Sequence, residues 1–563
     1  MAPPPAKATG KQAKKPPVVP LNNGISVTKE ANFSQWYQEV VTKCELVEYY
    51  TEVGSAYTDE LFSKASSMHI WNTIRTWFQN RIEQMGVEET SFPMFLSAKS
   101  LEKEKEHVEG FAPELAWVTR AGDKDLEVPV AVRPTSEAVM YPYYAKWIRS
   151  HRDLPFRLNQ WNSVVRWETK QTTPFLRSRE FMWQEGHTAH LTEQLAEKEV
   201  LEILELYAGV YEQLLAVPVV RGKYVVAFSR FVPILIWVSL TYPDLAIGRQ
   251  KTKNSPADIG HRRVKDLSRL QDAVYKEQLL ISFPSALGQN FSKMFDITVE
   301  DPNQKGEKIF VWQNSWGLST RVIGVMVMIH SDNKGLVLPP RVSKFQVVII
   351  PVGLTAKTTD EVRENLAKQV QDLAGSLKEI QVRTEVDNRE GYTPGFKFAD
   401  WEMKGVPLRL EFGPKDAANS VVTYSRRDTG FKGTIPLAEV ASQVPALLEK
   451  IQQDMYDKAN EDFTSHRLII NDWTEVIPAL NARNVVVIPF CGEPSCEELI
   501  KEKTKSDEHR ELGPDGKPQP SMGMKSLCIP FDQPSGLVQG ETKCLNPECG
   551  KFAKSWVMFG RSY

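Results

Sequence analysis

The chain has 563 residues, and at about 150 residues per domain this length predicts three or four domains. The composition, with 41% hydrophobic and 25% charged residues, is that of a globular protein with several apolar cores, and the net charge of −2 does not exclude nucleic acid binding through a local basic face. The most apolar stretch, residues 230–248, is excluded as a membrane span because Arg230 and Asp244 leave only 13 uncharged positions between them.

Residues 1–29 are rich in proline and lysine and contain no acidic residue. Such a segment buries too little apolar area to offset the entropy cost of ordering, so it predicts a disordered tail. The alternative is a transit peptide, although that would favour arginine and an amphipathic helix. The segment has no apolar region of the secretory type.

The chain then alternates between helical and extended patterns. Apolar residues at helical spacing predict helices over 33–50, 66–86 and 193–215. Between 92 and 190, short apolar runs separated by turn residues predict an antiparallel sheet. Residues 345–455 alternate strands with helices, one of them around 395–404, which predicts a small α/β domain.

Residues 166–190, RWETKQTTPFLRSREFMWQEGHTAH, carry the most chemically versatile side chains. The guanidinium groups of Arg166, Arg177 and Arg179 suit phosphate oxygens, and Glu168 can accept hydrogen bonds from an amine or a ribose. The alternative is that these charges form the solvated face of exposed strands.

The same stretch contains aromatic and histidine side chains. Phe181 and Trp183 can stack on a base or form the wall of a small pocket. His187 and His190, with Glu185, could hold a metal, but no third ligand is evident in the sequence. A polar pocket is therefore favoured over a metal site.

Four of the six cysteines form two C-x4-C pairs with 47 residues between them: Cys491 with Cys496, and Cys544 with Cys549. Two such pairs suit tetrahedral coordination of zinc by thiolates, which would make the site structural. The alternative is four reduced thiols that lie near one another by chance. Cys44 and Cys528 are predicted to be packing residues.

Several of these stretches together resemble one family. They are RPTSE (133–137), RWE (166–168), PFLRSREFMWQEGH (174–187), GQNFSKMF (288–295), the long run from 313–342, and the terminal GRSY. In this combination the chain resembles prolyl-tRNA synthetases of the archaeal and eukaryotic cytosolic type, over about residues 33–222 and 287–563. The resemblance outweighs the interpretation of residues 166–190 as a solvated strand face.

The resemblance implies an α+β fold. A class II antiparallel-sheet catalytic domain (30–343) would be followed by an α/β anticodon-binding domain (344–450) and a C-terminal zinc-binding α+β domain (451–563). It also implies proline–tRNA ligase activity: proline attacks ATP to give prolyl-adenylate, and tRNA(Pro) then accepts the prolyl group. A cytoplasmic homodimer without membrane contact is expected.

The resemblance assigns roles residue by residue. Arg166 and Arg321 match the catalytic arginines of the second and third class II motifs. ATP would be bound by Arg166, Glu168, Arg177, Phe181 and Arg321, with Mg2+ bridging its phosphates. L-proline would be bound by Thr135, Glu137, Arg166, Trp183, Glu185 and His187. The four cysteines would hold Zn2+. tRNA would be bound along residues 345–441 by Arg389, Lys397, Lys415, Arg426, Arg427 and Lys432.

The chain departs from the family between the second and third motifs. There the family has a segment resembling K-F-A-G-G-x-Y-T-T-T, followed by G-R-x-I-Q-x-x-T-S-H-x-L-G-Q-N-F, which supplies a glutamine and a threonine for ATP and a histidine for proline. Of that segment the chain keeps LGQNF (287–291). Residues 253–260, KNSPADIG, can be back-translated so that a shifted frame gives K-F-A-G-G-H-W.

We therefore hypothesise that about residues 223–286 are a mis-framed translation of the normal segment, with or without intron sequence, that arises in the gene model. On this hypothesis the apolar stretch 230–248 would have no settled place in the catalytic domain. Two functions follow. The favoured one is an active proline–tRNA ligase. The alternative is a non-catalytic tRNA-binding paralogue, or an inactive product that lacks part of the ATP and proline pocket.

Overall fold

A computed structural model describes residues 24–50, 60–97, 115–167, 172–223, 232–237, 282–355, 358–505 and 523–561. Glu168, residues 1–23 of the predicted tail and residues 238–281 lie outside these ranges. Residues 24–29 differ from the predicted disorder. Ile25 is 1% exposed, and Lys29 donates a hydrogen bond to the carbonyl of Ser331 at 2.9 Å.

The first helix is shorter than predicted. The side chain of Asn32 caps helix α1, which begins at Phe33 and ends at Lys43 instead of continuing to residue 50. It ends there because Glu45 has φ 63°, a left-handed conformation, and the chain then forms strand β1 (Val47–Tyr50). The predicted second helix is confirmed as α2 (Ala65–Gln84), whose buried stripe includes Ile70, Ile74 and Phe78.

The predicted antiparallel pairing between 92 and 190 is confirmed, but it divides between two sheets. Residues 156–190 belong to a sheet of eleven strands, whereas residues 95–132 form a separate sheet of three strands. The strands up to residue 330 are β1, β2 (Glu60–Ser63), β3 (Glu88–Glu89), β4 (Phe95–Ser97), β5 (Trp117–Ala121), β6 (Lys124–Val132), β7 (Phe156–Val165), β8 (Glu180–His190), β9 (Val220–Lys223), β10 (Val232–Trp237), β11 (Ser282–Gly288), β12 (Thr298–Glu300), β13 (Lys308–Phe310) and β14 (Trp312–Ser319).

Four more α-helices lie in the described residues of this part of the chain. They are α3 (Glu137–Trp147), α4 (Glu193–Gly209), α5 (Asn290–Met294) and α6 (Arg321–His330), with a 3-10 turn at His151–Asp153 and a π turn at Val210–Leu214. Helix α4 and the π turn confirm the helix predicted over 193–215. Helix α3 was not predicted, because Pro142 inside it interrupts the helical pattern.

The apolar stretch at 230–248 has a place in the fold at its beginning, contrary to expectation. Residues 232–237 form β10, which pairs antiparallel with β9 on one side and β11 on the other. The run VPILIW is rich in β-branched and aromatic residues, which have high strand propensity. The expectation that this stretch has no settled place is therefore wrong for residues 232–237.

The predicted α/β domain is confirmed. Its five-stranded sheet has the order β16-β15-β17-β18-β19, with β15 parallel to both of its neighbours. The elements are β15 (Val347–Pro351), α7 (Asp360–Glu379), β16 (Thr384–Val386), α8 (Pro394–Met403), β17 (Leu408–Phe412), α9 (Pro414–Ala418), β18 (Val421–Arg426), β19 (Lys432–Pro436), a 3-10 turn at Leu437–Glu439 and α10 (Val440–Ser465). Helix α10 runs across position 450, where a domain boundary is predicted.

The remaining elements form an α+β unit. They are β20 (Arg467–Ile469), α11 (Trp473–Asn481), β21 (Val485–Phe490), α12 (Pro494–Lys503), β22 (Lys525–Pro530) and β23 (Ser555–Gly560). Strand β22 also pairs with β9, so the strands of this unit and those of the first domain belong to one continuous sheet. Within the described ranges, every helix is too short or too polar to cross a membrane.

Candidate active site

Strand β8 brings three predicted pocket residues to one face of the sheet. Trp183, Glu185 and His187 lie two positions apart, and side chains alternate between the two faces of a strand. Strand β7 places Asn162 opposite Trp183 and Gln160 opposite Glu185. The register of β7 and β8 therefore brings the side chains of Gln160, Asn162, Glu185 and His187 together at the base of the pocket. We call these four residues the polar floor.

Glu185 is the centre of this floor and is 2% exposed. Its Oε1 accepts hydrogen bonds from the side chains of Ser136, Gln160 (2.8 Å) and Asn162 (2.7 Å), and its Oε2 lies 3.1 Å from Nε2 of His187. Burial alone would raise the pKa of Glu185, but the hydrogen bond and charge of His187, with the bonds from Ser136 and Asn162, lower it below the ordinary value. The carboxylate is therefore held as an anion.

His187 lies beside Glu185 and is fully buried. Its Nδ1 lies 2.9 Å from the hydroxyl of Tyr141, so both ring nitrogens have polar partners. Burial would lower the pKa of His187, but the hydrogen bond to Glu185 and the charge of Glu137 raise it. Thr135 donates a hydrogen bond to Glu137, and ligand atoms of Glu137, Glu185 and His187 all lie within 4.8 Å of one another.

His190 does not join this cluster. It is three positions from His187 on the strand and therefore faces the other side of the sheet. There its Nε2 lies 3.0 Å from Glu199, which also accepts a hydrogen bond from Arg157 at 2.8 Å. The two histidines thus do not form the metal pair considered from the sequence, and a polar pocket remains the favoured interpretation.

Arg166 covers the aromatic side of the pocket. Its guanidinium carbon lies 5.4 Å from the ring centroids of both Phe181 and Trp183, a cation–π arrangement. Its Nε donates to the carbonyl of Pro134 at 3.2 Å. These contacts join the RPTSE and RWE motifs of the sequence in one site.

Arg321 begins helix α6 and contacts the turn that precedes β8. Its Nε donates to the carbonyl of Leu176 at 2.9 Å. The backbone of Arg177 bonds to Thr173, and the Arg177 side chain is exposed. The hydrogen bond from Arg321, the arginine of the third motif, therefore fixes the turn that carries Arg177.

The sequence did not reveal several residues of the site. Ser136, Gln160 and Asn162 bind Glu185, and Tyr141 binds His187. One signal was present: Gln160 and Asn162 are polar residues two positions apart inside a strand, which marks a polar face. The pairing of that strand with β8 has no signal in a single sequence.

The predicted tRNA-binding residues differ in burial and in the ion pairs that they form. Lys397, Arg426 and Arg427 are buried and form ion pairs with Asp387, with Asp428 and Asp454, and with Asp332, respectively. Arg389 is 38% exposed and pairs with Asp387 and Asp400. Lys415 and Lys432 are exposed.

The four cysteines of the C-x4-C pairs meet, as predicted. All four sulfur atoms lie within 4.8 Å of one another, with 3.7 Å between Cys496 and Cys544 and 3.5 Å between Cys549 and Cys491. A tetrahedron with zinc–sulfur distances of about 2.3 Å places its sulfurs about 3.8 Å apart. The donor set and its spacing therefore fit zinc. Cys44 and Cys528 are buried away from this cluster, as predicted.

Comparisons with known proteins match most of the chain. Three family models match: tRNA synthetase class II core domain (G, H, P, S and T) over residues 122–330, anticodon binding domain over 346–447, and prolyl-tRNA synthetase, C-terminal, over 473–563.

Individual relatives agree with these models. A putative proline–tRNA ligase of Saccharomyces cerevisiae is 50% identical, over 96% of this chain and 73% of the relative. The cytoplasmic proline–tRNA ligase of Arabidopsis thaliana is 45% identical, over 96% of this chain and 91% of the relative. A crystal structure of prolyl-tRNA synthetase from Cryptosporidium parvum, complexed with halofuginone and AMPPNP, is 40% identical with a TM-score of 0.80 and covers 97% of this chain and 98% of that one. The chain belongs to the prolyl-tRNA synthetase family of class II aminoacyl-tRNA synthetases.

Proposed function

We propose that the chain is a proline–tRNA ligase that activates L-proline with ATP and transfers the prolyl group to tRNA(Pro). The observation that carries this proposal is the buried Glu185–His187 pair beside Trp183 and Arg166. A pyrrolidine ring needs flat apolar walls, and its secondary ammonium needs an anion nearby. Trp183 provides the wall, and Glu137 and Glu185 provide the carboxylates. The comparisons give no support to a non-catalytic paralogue.

In the first step the carboxylate of proline attacks the α-phosphate of ATP, which forms prolyl-adenylate and releases pyrophosphate. That carboxylate is already an anion, so the reaction needs in-line positioning and neutralisation of charge on the α-phosphate more than it needs a general base. We assign neutralisation to Arg166 and Arg321 and contact with the outer phosphates to Arg177. Phe181 would stack on adenine, with Glu168 on the adenine side.

Mg2+ is implied by the class II family. It prefers octahedral oxygen ligands, keeps several waters, and is bound largely through substrate phosphates at such sites. When bound, it would neutralise phosphate charge. The side chains assigned to ATP would then orient the phosphates.

The anticodon domain has features that support tRNA binding. Tyr392 and Phe396 stack at 4.7 Å and are about half exposed, and Arg389 lies over Tyr392. Exposed aromatic rings next to positive charge are suited to unstacked bases and phosphates. We therefore propose that Arg389, Lys415 and Lys432 face tRNA, while Lys397, Arg426 and Arg427 support the domain from inside.

Zinc, a homodimer and a cytoplasmic location complete the proposal. The cysteine cluster supports structural zinc. Phe95 of β4 and Val128 of β6 are more than half exposed and belong to the sheet formed by β4, β6 and β5. Exposed apolar side chains of this kind support subunit contact. The cytoplasmic location rests on the family resemblance.

Proline-dependent exchange of pyrophosphate into ATP tests the function, followed by charging of a tRNA(Pro) transcript. We expect Arg166→Gln to lower exchange by about 10²- to 10³-fold, the effect of losing one preorganised charge donor. Arg120→Gln is the matched control, because Arg120 pairs with Asp125 on the surface. Only background exchange is expected from the sequence as printed, because residues 223–286 lack the glutamine, threonine and histidine that the family segment supplies. The test therefore uses the protein encoded by the natural transcript, and absence of proline-dependent exchange in that protein would reject the proposal.

A further inference from the structure

The third-motif helix α6 connects two distant parts of the molecule. Its first residue, Arg321, holds the carbonyl of Leu176 in the turn that carries Arg177. Its last residue is His330, and Asp332 follows two positions later. At about 1.5 Å per residue, the helix spans about 15 Å between these ends.

Asp332 makes one of the contacts with the anticodon domain. Both of its carboxylate oxygens accept hydrogen bonds from Arg427, at 2.7 and 2.8 Å. The Arg427 side chain is 4% exposed, and its Nε donates to the carbonyl of Glu402 at 2.7 Å. A bidentate arginine–carboxylate pair fixes orientation as well as distance. Arg427 therefore joins α6 to the C-terminal end of α8.

The chain after Asp332 continues along the same end of α8. The amide of Leu336 donates to the carbonyl of Met403 at 2.9 Å, and a Cβ on Gly335 would lie 2.5 Å from that carbonyl oxygen. Gly335 has φ 129°, so both space and conformation require glycine here. The two helices are thus attached by backbone bonds and close packing as well as by the ion pair.

Helix α8 in turn reaches the exposed aromatic stack. Phe396 lies in its first turn and stacks on Tyr392, whereas Glu402 and Met403 lie at its other end. Helix α6 is buried between its ends, with Val322, Ile323 and the residues from 325 to 328 at most 1% exposed. Two helices placed in sequence, one of them buried along its middle, form a contiguous packed connection from this stack to Arg321.

We propose that Arg427 is a positioning residue that couples the anticodon domain to the ATP site through Asp332 and helix α6. A nucleic acid ligand held by the aromatic stack would fix α8, and through Arg427 it would fix α6 and the turn that Arg321 holds. The connection is then already ordered when ATP binds, so less entropy is lost at that step. Each ligand therefore increases the affinity of the protein for the other. This inference rests on the proposed function of both sites.

The test measures binding of AMPPNP to the full chain with and without the isolated anticodon stem-loop of tRNA(Pro). The stem-loop lacks the acceptor end, so its influence on AMPPNP must pass through the protein. In the unmodified chain we expect the stem-loop to lower the Kd of AMPPNP about 5-fold. In Asp332→Asn, and in the double variant Asp332→Asn with Arg427→Gln, that ratio should fall below about 2-fold and be the same in both variants.

Two further variants separate coupling from simple loss of structure. Arg427→Lys keeps the charge but not the two-pronged contact, and it should give an intermediate ratio. Glu449→Gln removes the exposed Arg341–Glu449 ion pair, a separate contact of the anticodon domain, and should leave the ratio unchanged. Thermal unfolding confirms that each variant is folded.

An unchanged ratio in Asp332→Asn, or an equal loss of coupling in Glu449→Gln, would overturn the inference. If the unmodified chain binds both ligands independently, the inference is wrong while the proposed function stands. These measurements also use the protein encoded by the natural transcript. If that protein fails to bind either ligand, the proposed function is wrong and the inference falls with it.

Discussion

His187 and Glu185 form a buried pair, with 3.1 Å between Nε2 and Oε2 and neither side chain more than 2% exposed. The fold lowers the pKa of Glu185 and raises that of His187. Removing one partner of such a pair leaves an uncompensated buried group and typically costs about 3–5 kcal/mol. We expect His187→Asn to lower the free energy of unfolding by an amount in this range.

The pKa directions determine how this loss varies with pH. A carboxyl with a lowered pKa stabilises the fold above its unfolded value of 4.5, and this stabilisation is lost as the pH falls through the folded value. A histidine with a raised pKa stabilises the fold below 6.5, and this stabilisation is lost as the pH rises through the folded value. The difference between His187→Asn and the unmodified chain should therefore be largest between pH 4.5 and 6.5.

Urea unfolding at a series of pH values measures this profile. His466→Asn is the control, because the ring of the half-buried His466 bonds to Ser465 and to the backbone carbonyl of Asp462, and its difference should be smaller than that of His187→Asn. A difference for His187→Asn that does not change with pH would contradict the proposed charge pair.

Gly186 lies between Glu185 and His187 and supports the pocket from the opposite face. A Cβ at this position would lie 2.3 Å from the indole ring of Trp316, which is itself 1% exposed. We expect Gly186→Ala to destabilise the fold by about 1–3 kcal/mol, since overpacking of an enclosed site forces neighbours to move. Thermal unfolding of the purified chain measures the change.

Gly375 provides the matched control for this substitution. It lies within helix α7, and no atom lies within 4 Å of the position its Cβ would take. Gly375→Ala should therefore stabilise the fold by about 0.4–1 kcal/mol. Equal effects of the two substitutions would show that Trp316 does not limit the space at Gly186.

The sequence predicted the parts of the fold that depend on local pattern. Helix α2 follows from apolar periodicity alone, whereas the end of α1 depends on the left-handed conformation of Glu45, which has no clear signal in the sequence. In the site, the alternation of side chains between the two faces of one strand was enough to predict that Trp183, Glu185 and His187 lie on the same face. The partners of Glu185 on β7 depend on strand register, which tertiary packing decides.

Ion pairs between residues that are far apart in the sequence could not be predicted either. Arg427 was predicted to contact tRNA from its place in the anticodon-binding domain, yet its partner Asp332 is 95 positions away. A single sequence shows which residues carry charge but not which charges meet. The structure therefore changes the proposed role of Arg427 more than that of any exposed lysine nearby.

Zinc content tests the cysteine cluster. We expect one zinc ion per chain, measured by elemental analysis, and its loss in Cys496→Ser because three thiolates no longer close the shell. Loss of the ion should also lower the melting temperature, since metal bound only by the folded state stabilises that state. Cys528→Ala, which changes a buried cysteine outside the cluster, should keep the ion. Zinc retained in Cys496→Ser would reject the assignment.

The exposed ring of Tyr392 should contribute to tRNA binding by stacking. Loss of one aromatic–base stack costs about 1–3 kcal/mol, so Tyr392→Ala should weaken binding of a tRNA(Pro) transcript by about 5- to 100-fold. Tyr392→Phe keeps the ring and should bind nearly as the unmodified chain does. Affinities are compared at one salt concentration, because phosphate contacts make binding depend on salt. Equal weakening by both substitutions would assign the effect to the hydroxyl and not to stacking.

Residues 238–281 offer a test at the level of the natural protein. The mis-framed translation hypothesis rests on residues 253–260, which read as the family motif in a shifted frame. It predicts that peptides from protein isolated from its natural source will match the family segment and not the printed sequence between these positions. Tryptic mapping by mass spectrometry decides this, because Lys251, Lys253 and Arg262 would release characteristic peptides from the printed sequence. The strand formed by residues 232–237 shows that part of the printed segment is compatible with the catalytic sheet, so detection of peptides from both 232–237 and 253–260 would reject the hypothesis.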